Sequence, residues 1–374
     1  MNEDKASRYH RLKRTARVLH VSMMGVLVAV VLVSGASAWW RDRCLQVGRD
    51  LWAWAPGAEV VAAMLHVAGL ALIVETVGVP LAWYGGYVLE RRYGMTSMSP
   101  RAWMRDHAKG GAIGLALALA AVAVVSASMA WSVRWWWLPA AAIVSGASVA
   151  MTWLAPILVF PLFFRFTPLT RADLEARLSA LASRAGAAVV GAFEWSLGDR
   201  TRAANAALVG MGHTRRIILS DTLLAQYSDD EIEVILAHEL AHHVHGDLWR
   251  VLGVDAVLTA GALLAGHVAL LAVAGHFGVG GVGDVAGLPA LLLAVGAWSL
   301  VTMPVVNGLS RAHERRADRF ALDLTRNPEA FVSAMRRLGA QHLADEHPSP
   351  LVEALFHSHP PLPERIAAAR AWKA

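Results

Sequence analysis

Six apolar blocks, each more than 20 residues long, dominate the chain, at about 16–40, 59–89, 110–133, 135–164, 251–277 and 286–309. Each is long enough to cross a hydrocarbon layer of roughly 30 Å as a helix, the conformation in which every backbone N–H and C=O is satisfied within the segment. The expected fold is an α-helical integral membrane protein with about six transmembrane helices. Of the 374 residues 56% are hydrophobic and 17% charged, which excludes a disordered or fibrous chain. A single cysteine, Cys44, excludes an intrachain disulfide, so zinc chemistry must use His and carboxylate.

Basic residues assign sides to the spans, because cationic loops are retained in the cytoplasm. The N-terminus, the 90–109 loop, the 165–250 stretch and the segment after 310 hold 30 of the 34 Lys and Arg residues. Both termini and the long polar stretch are therefore expected on the cytoplasmic side, in a bacterial-like chain of the cell inner membrane. The net charge of +5 is read as topology and contact with anionic membrane lipids. No basic and aromatic motif supports nucleic acid. Four regions are expected: an N-terminal membrane region of four helices (1–164), a cytoplasmic catalytic domain (165–250), two further membrane helices (251–309) and a C-terminal cytoplasmic segment completing the active site (310–374). Ala36-Ser37-Ala38 resembles a signal-peptide cleavage site, but a retained first helix is expected. Trp39, Trp40 and Trp135 to Trp137 are expected to anchor block ends at the interface.

The polar stretch opens with Thr170-x-x-Asp173, a capping-box pattern, followed by Leu174, Leu178 and Leu181 at helical spacing and a stop at Gly186. Short β-type runs at 187–193, 204–208 and 216–219 predict a small antiparallel sheet. Ser228-x-x-Glu231 then caps a longer helix, with Ile232, Ile235, Leu236 and Leu240 on its core face.

That helix carries His238-Glu239-Leu240-Ala241-His242. Imidazoles four residues apart rise from one helical face and can hold one Zn²⁺, while Glu239, about 100° round the helix, can reach water on the metal as a general base. A catalytic zinc needs a third protein ligand and an open fourth position. An extended motif with Gly at 245 and His at 248 is absent, since His245 and Leu248 stand there. No Glu lies between Glu239 and Glu314, which makes Glu314 the candidate, delivered by the sixth block as it returns to the cytoplasmic side. Asp318, four residues on, shares its face and can orient a ligand histidine. His243, His245, His313 and Asp247 are rival third ligands.

With these residues in place the sequence resembles the integral-membrane zinc metalloendopeptidases of the CAAX prenyl protease type, from about Trp83 to the C-terminus. Supporting segments are Tyr84 to Gly94, Phe166-Thr167-Pro168-Leu169, Asn205-Ala206, Arg216 to Leu224 and Ser358 to Ile366. The resemblance implies a helical membrane chamber roofed by a zincin-like α+β catalytic domain lying between helices four and five. It also implies a substrate-pairing strand at Asn205, with His359 and Arg365 helping to bind substrate or its transition state. Without the resemblance, Asn205 reads equally as a turn residue, Arg365 as a salt bridge and His359 as a helix cap. The N-terminal part is shorter than in eukaryotic members of that type.

The implied activity is cleavage of a peptide or protein substrate, and the resemblance points to C-terminal processing of prenylated CAAX proteins. The alternatives are an HtpX-like membrane quality-control protease and, in another class, an inactive lipid-binding or scaffolding chamber. Glu75, His66 and His267 fall inside predicted spans, where each must face a hydrated chamber or a local helix–helix partner.

Overall fold

The computed structural model describes residues 5–52, 58–210 and 214–373. Among these, six helices are long and apolar enough to cross a membrane: Lys5–Val33, Glu59–Arg92, Pro100–Trp131, Trp137–Phe163, Asp247–Val273 and Val285–Thr325. The first ends earlier than its apolar block predicts. Gly35, at φ +74°, stops it after Val33, and a separate amphipathic helix, Ala36–Trp52, follows. Trp136 also departs from the anchoring role expected of it. It is wholly buried, and its indole N–H donates to His267 Nδ1 at 3.1 Å, linking the fourth span to the fifth.

His66 and Glu75 also meet side chains of neighbouring helices. His66 Nε2 lies 3.3 Å from Ser37 Oγ, and Glu75 lies 2.6 Å from His107 Nε2. Tyr84–Val88 in the second span forms a π turn, and the Gly86 carbonyl accepts from the Trp103 indole at 3.1 Å. The second to sixth spans line a cavity of about 780 Å³, with Val67, Ala121, Val144, Asp255 and Trp298 among its walls.

The polar stretch packs four strands against helices. The strands are β1 (Phe166–Pro168), β2 (Ala192–Trp195), β3 (Ala206–Val209) and β4 (Arg216–Ser220), in the order β1-β2-β4-β3. The sheet is mixed, against the antiparallel expectation, because β2 and β4 run parallel. The loop after β2 is long enough to carry the chain past the sheet to its far edge. Asp221 holds the N–H groups of Leu197 and Gly198, and β4 runs antiparallel to β3, between it and β2.

The helix Ala172–Arg184 starts without the expected cap. Arg171 occupies the N-cap position, its guanidinium bound to Asp229 at 2.8 Å, and Asp173 and Glu175 complement the helix dipole instead. Leu174, Leu178 and Leu181 meet Ile217, Leu219, Ile232, Leu236 and Phe331 in one core.

Candidate metal centre

The helix Asp229–Val244 begins with the expected capping box. Ser228 Oγ accepts from the Glu231 N–H and Glu231 Oε2 accepts from the Ser228 N–H. Burial of Ile232, Leu236 and Leu240 fixes its rotation, so that His238 and His242 face the sixth span. Ala237 and Ala241 on one helix and Ala317 and Ala321 on the other are all fully buried, and these small side chains let the helices approach closely. Across that contact His238 Nε2 lies 3.3 Å and His242 Nε2 3.4 Å from the two oxygens of Glu314. One ligand atom from each of the three residues lies within 4.8 Å of the others.

These three residues fit a zinc ion. The Glu314 carboxylate is buried with imidazole nitrogens of His238, His242 and His359 converging on its two oxygens, a donor set of nitrogen and carboxylate oxygen that suits zinc. Each imidazole directs Nε2 inward while its Nδ1 meets a carboxylate, His238 with Asp318 at 2.9 Å and His242 with Asp247 at 3.0 Å. That outer carboxylate fixes the tautomer and leaves the inner nitrogen free to ligate. Burial opposes charge on His238, but its hydrogen bonds to Asp318 and Glu314 outweigh this and raise its pKa to about 9. The field that favours a proton there also favours a divalent cation. Burial pushes the Glu239 carboxyl up, against the opposing pull of His238 and His242, in the direction a proton acceptor requires.

Asp247 reaches His242 because Gly246, at φ +66°, breaks the chain between the motif helix and the fifth span. Its second oxygen pairs with Arg316. Sequence periodicity treats Asp247 only as a rival ligand, since a residue five positions after His242 is off its helical face. The Gly-Asp pair at the helix end is the signal that points to a reversal. The other rivals lie elsewhere: His245 packs edge-on against Phe320, and neither His243 nor His313 joins the cluster found among the described residues.

His359 Nδ1 lies 2.7 Å from Glu314 Oε2 on a side chain 62% exposed, at the open side of the cluster. Arg365 is far less exposed, at 12%. Its guanidinium grips Asp318 through Nε and Nη2, the former at 2.7 Å, and Nη2 lies 3.5 Å from His238 Nδ1. Asn205 is exposed just before β3, an edge strand of the sheet. Its own N–H and C=O are both taken by Ser220, at 2.9 Å each. Pairing alternates in an antiparallel ladder, so the main-chain groups of Ala206 and Leu208 face outward from this edge.

A helical membrane chamber whose polar half presents two histidines and a glutamate around one point, with a second glutamate, Glu239, beside them, defines a membrane metalloendopeptidase. Residues 168–373 match Peptidase family M48, and residues 2–165 match the CAAX prenyl protease N-terminal family, described by five membrane helices. The chain belongs to peptidase family M48 and is a zinc-dependent membrane endopeptidase.

It is similar to a metalloprotease of Bacillus subtilis, uncharacterized YhfN, at 29% identity over 96% of this chain and 84% of the relative. With CAAX prenyl protease 1 of Saccharomyces cerevisiae it shares 26% identity over 83% of this chain and 72% of the relative. The crystal structure of Ste24p from S. mikatae superposes with a TM-score of 0.84 at 20% identity, over 98% of this chain and 88% of that one, and shows the same fold.

Proposed function

We propose that this endopeptidase cleaves near the C-terminus of prenylated CAAX-type proteins, working from the cytoplasmic face of the cell inner membrane. The observation that carries the chemistry is the convergence of Glu314 with His238 and His242, whose helix packs against the edge strand β3. The substrate class is supported by similarity to proteins named CAAX prenyl proteases across most of the chain. The cytoplasmic side is supported by the placement of the basic residues. On this reading residues 165–250 are the catalytic domain, 1–164 and 251–309 the membrane region, and 310–374 the segment that completes the site. Membrane lipids are partners and nucleic acid is not.

His238, His242 and Glu314 would hold the zinc. Bound there, zinc supplies Lewis acidity to the scissile carbonyl and to the attacking water. Glu239 accepts the water proton and returns it to the leaving amine. The substrate lies extended against Ala206 and Leu208, whose outward N–H and C=O groups extend the sheet by one strand, and Asn205 offers its side-chain amide at the end of that edge. His359, exposed beside the cluster, donates to the oxygen that gains charge at the scissile carbonyl. Arg365 acts through Asp318 and His238, holding the ligand set in place.

Purified protein in lipid vesicles, given a farnesylated CAAX peptide, its unprenylated counterpart and a misfolded membrane protein, tests the assignment, with Glu239→Gln as the inert control. Faster cleavage of the farnesylated peptide is expected. Preference for the misfolded protein would assign the chain to quality control instead.

A further inference from the structure

Where the third span begins and the fourth ends, a second pocket of about 350 Å³ opens beside the sheet, sharing no lining residue with the chamber. Its charged lining is four basic side chains, Arg105, Lys109, Arg165 and Arg200, against two acidic ones, Asp106 and Asp199. Neutralisation is partial. Arg200 pairs with Asp106 and also donates to the Phe163 carbonyl. Lys109 donates to the Leu162 carbonyl at 2.7 Å and lies over the Phe163 ring, contacts that leave its charge uncompensated. Arg105 is 66% exposed, with its Nε 3.8 Å from Asp106, and the Arg165 side chain is exposed at the junction of the fourth span with β1. In the same pocket Asp106 Oδ1 is buried without a hydrogen-bond partner.

The pocket therefore asks for a ligand of mixed chemistry: an anion for the surplus cations and a donor for the unpaired carboxylate oxygen. Its surroundings are apolar. Leu158, Leu162 and Met104 are 58%, 51% and 45% exposed on the spans that frame it, a surface suited to acyl chains.

We propose that this pocket binds the headgroup of an anionic phospholipid carrying free hydroxyls, of the phosphatidylglycerol type. The phosphate sits among Arg105, Lys109 and Arg165, a headgroup hydroxyl donates to Asp106, and the chains run along Leu158 and Leu162. A zwitterionic headgroup leaves the excess of basic side chains uncompensated. The lipid thereby braces the membrane half against the sheet. At this junction the Arg165 N–H donates to Ser196 Oγ at 3.2 Å and the Arg165 carbonyl accepts from the Ser196 N–H at 3.1 Å.

Native mass spectrometry of the full chain, released from mixed micelles containing phosphatidylglycerol and phosphatidylcholine in equal amounts, tests the proposal. One phosphatidylglycerol retained per chain is expected, with phosphatidylcholine at least tenfold lower. The double substitution Arg105→Gln and Arg165→Gln should remove at least nine-tenths of the retained lipid, without changing helix content or peptidase activity in neutral detergent. The charge-keeping pair Arg105→Lys and Arg165→Lys should restore retention, which separates loss of charge from misfolding. Equal retention of the two lipids, or unchanged retention in the Gln pair, overturns the site. Displacement of phosphatidylglycerol by millimolar inorganic phosphate assigns the pocket to a free anion and overturns the lipid.

Discussion

His242 and Asp247 form a pair, Nδ1 to Oδ2 at 3.0 Å, that repeats on the second histidine what Asp318 does for the first. Both carboxylates are buried, and each is held from behind by an arginine, Asp247 by Arg316 and Asp318 by Arg365. A carboxylate on the outer nitrogen raises the basicity of the inner one and fixes ring orientation, and its loss typically costs 10- to 100-fold in metal affinity. Asp247→Ala should therefore weaken zinc binding by about that factor. Asp247→Asn, which keeps an acceptor, should fall between the variant and wild type. Competition with a chromophoric chelator measures both, and unchanged affinity in Asp247→Ala would show that the pair is incidental.

Arg365 reaches Asp318 with two nitrogens of one planar guanidinium, a geometry an ammonium cannot reproduce. Arg365→Lys should thus behave more like Arg365→Met than like wild type. In both, zinc affinity and turnover are expected to drop together, with little change in KM. If Arg365→Lys instead kept full zinc affinity while raising KM, the residue would be a direct substrate contact.

Glu239 is a half-buried carboxyl beside the cluster that the ligand geometry leaves unused. Glu239→Gln should keep its zinc, measured by metal analysis of the purified protein, while kcat falls by roughly 10²- to 10⁴-fold. Chelation of the wild-type enzyme should abolish activity and lower the Tm, and added zinc should restore both, since a ligand bound only to the folded state stabilises it. Cleavage surviving in Glu239→Gln would remove it from the base role.

What was legible in sequence follows the range of each interaction. The spans and the motif helix are written in local periodicity: apolar runs for the former, and a cap at Ser228 with a buried stripe through Leu240 for the latter. Glu314 is legible as a candidate, because it is the first Glu after Glu239, but the sequence leaves His243, His245, His313 and Asp247 open beside it. Asp247 was not assigned as the His242 partner, because helical spacing excludes a residue five positions on and only the left-handed Gly246 turns it back. The pairing of Arg365 with Asp318 depends on docking of the last helix, 47 residues further along, which no local pattern encodes. β1 has three residues and one neighbour, too short for alternation to reveal, and the parallel pairing of β2 with β4 is a property of the loop between them.

The cap that starts the motif helix supports a final prediction. Glu231, 3% exposed, accepts from the Ser228 N–H at 2.8 Å and from Ser333 Oγ at 2.6 Å, and pairs with Arg337 at 2.9 Å. It thus ties the start of the zinc helix to the helix Pro328–Gln341. Burial alone would raise its pKa, but the hydrogen bonds from Ser333 and Ser228 and the charge of Arg337 outweigh burial and hold it below the usual glutamate value. A carboxyl depressed in the folded state stabilises that state above its unfolded pKa of about 4.3. The contribution disappears as pH falls through the lower folded value. Glu231→Ala should destabilise the protein by about 2 kcal/mol at neutral pH, within the range for losing hydrogen bonds to a charged group. The gap in Tm between wild type and variant should stay constant from pH 7 to about 5 and close as the pH falls below about 4. Thermal unfolding in detergent across that series measures it, and a gap that widened in acid would mean that Glu231 is protonated in the folded protein.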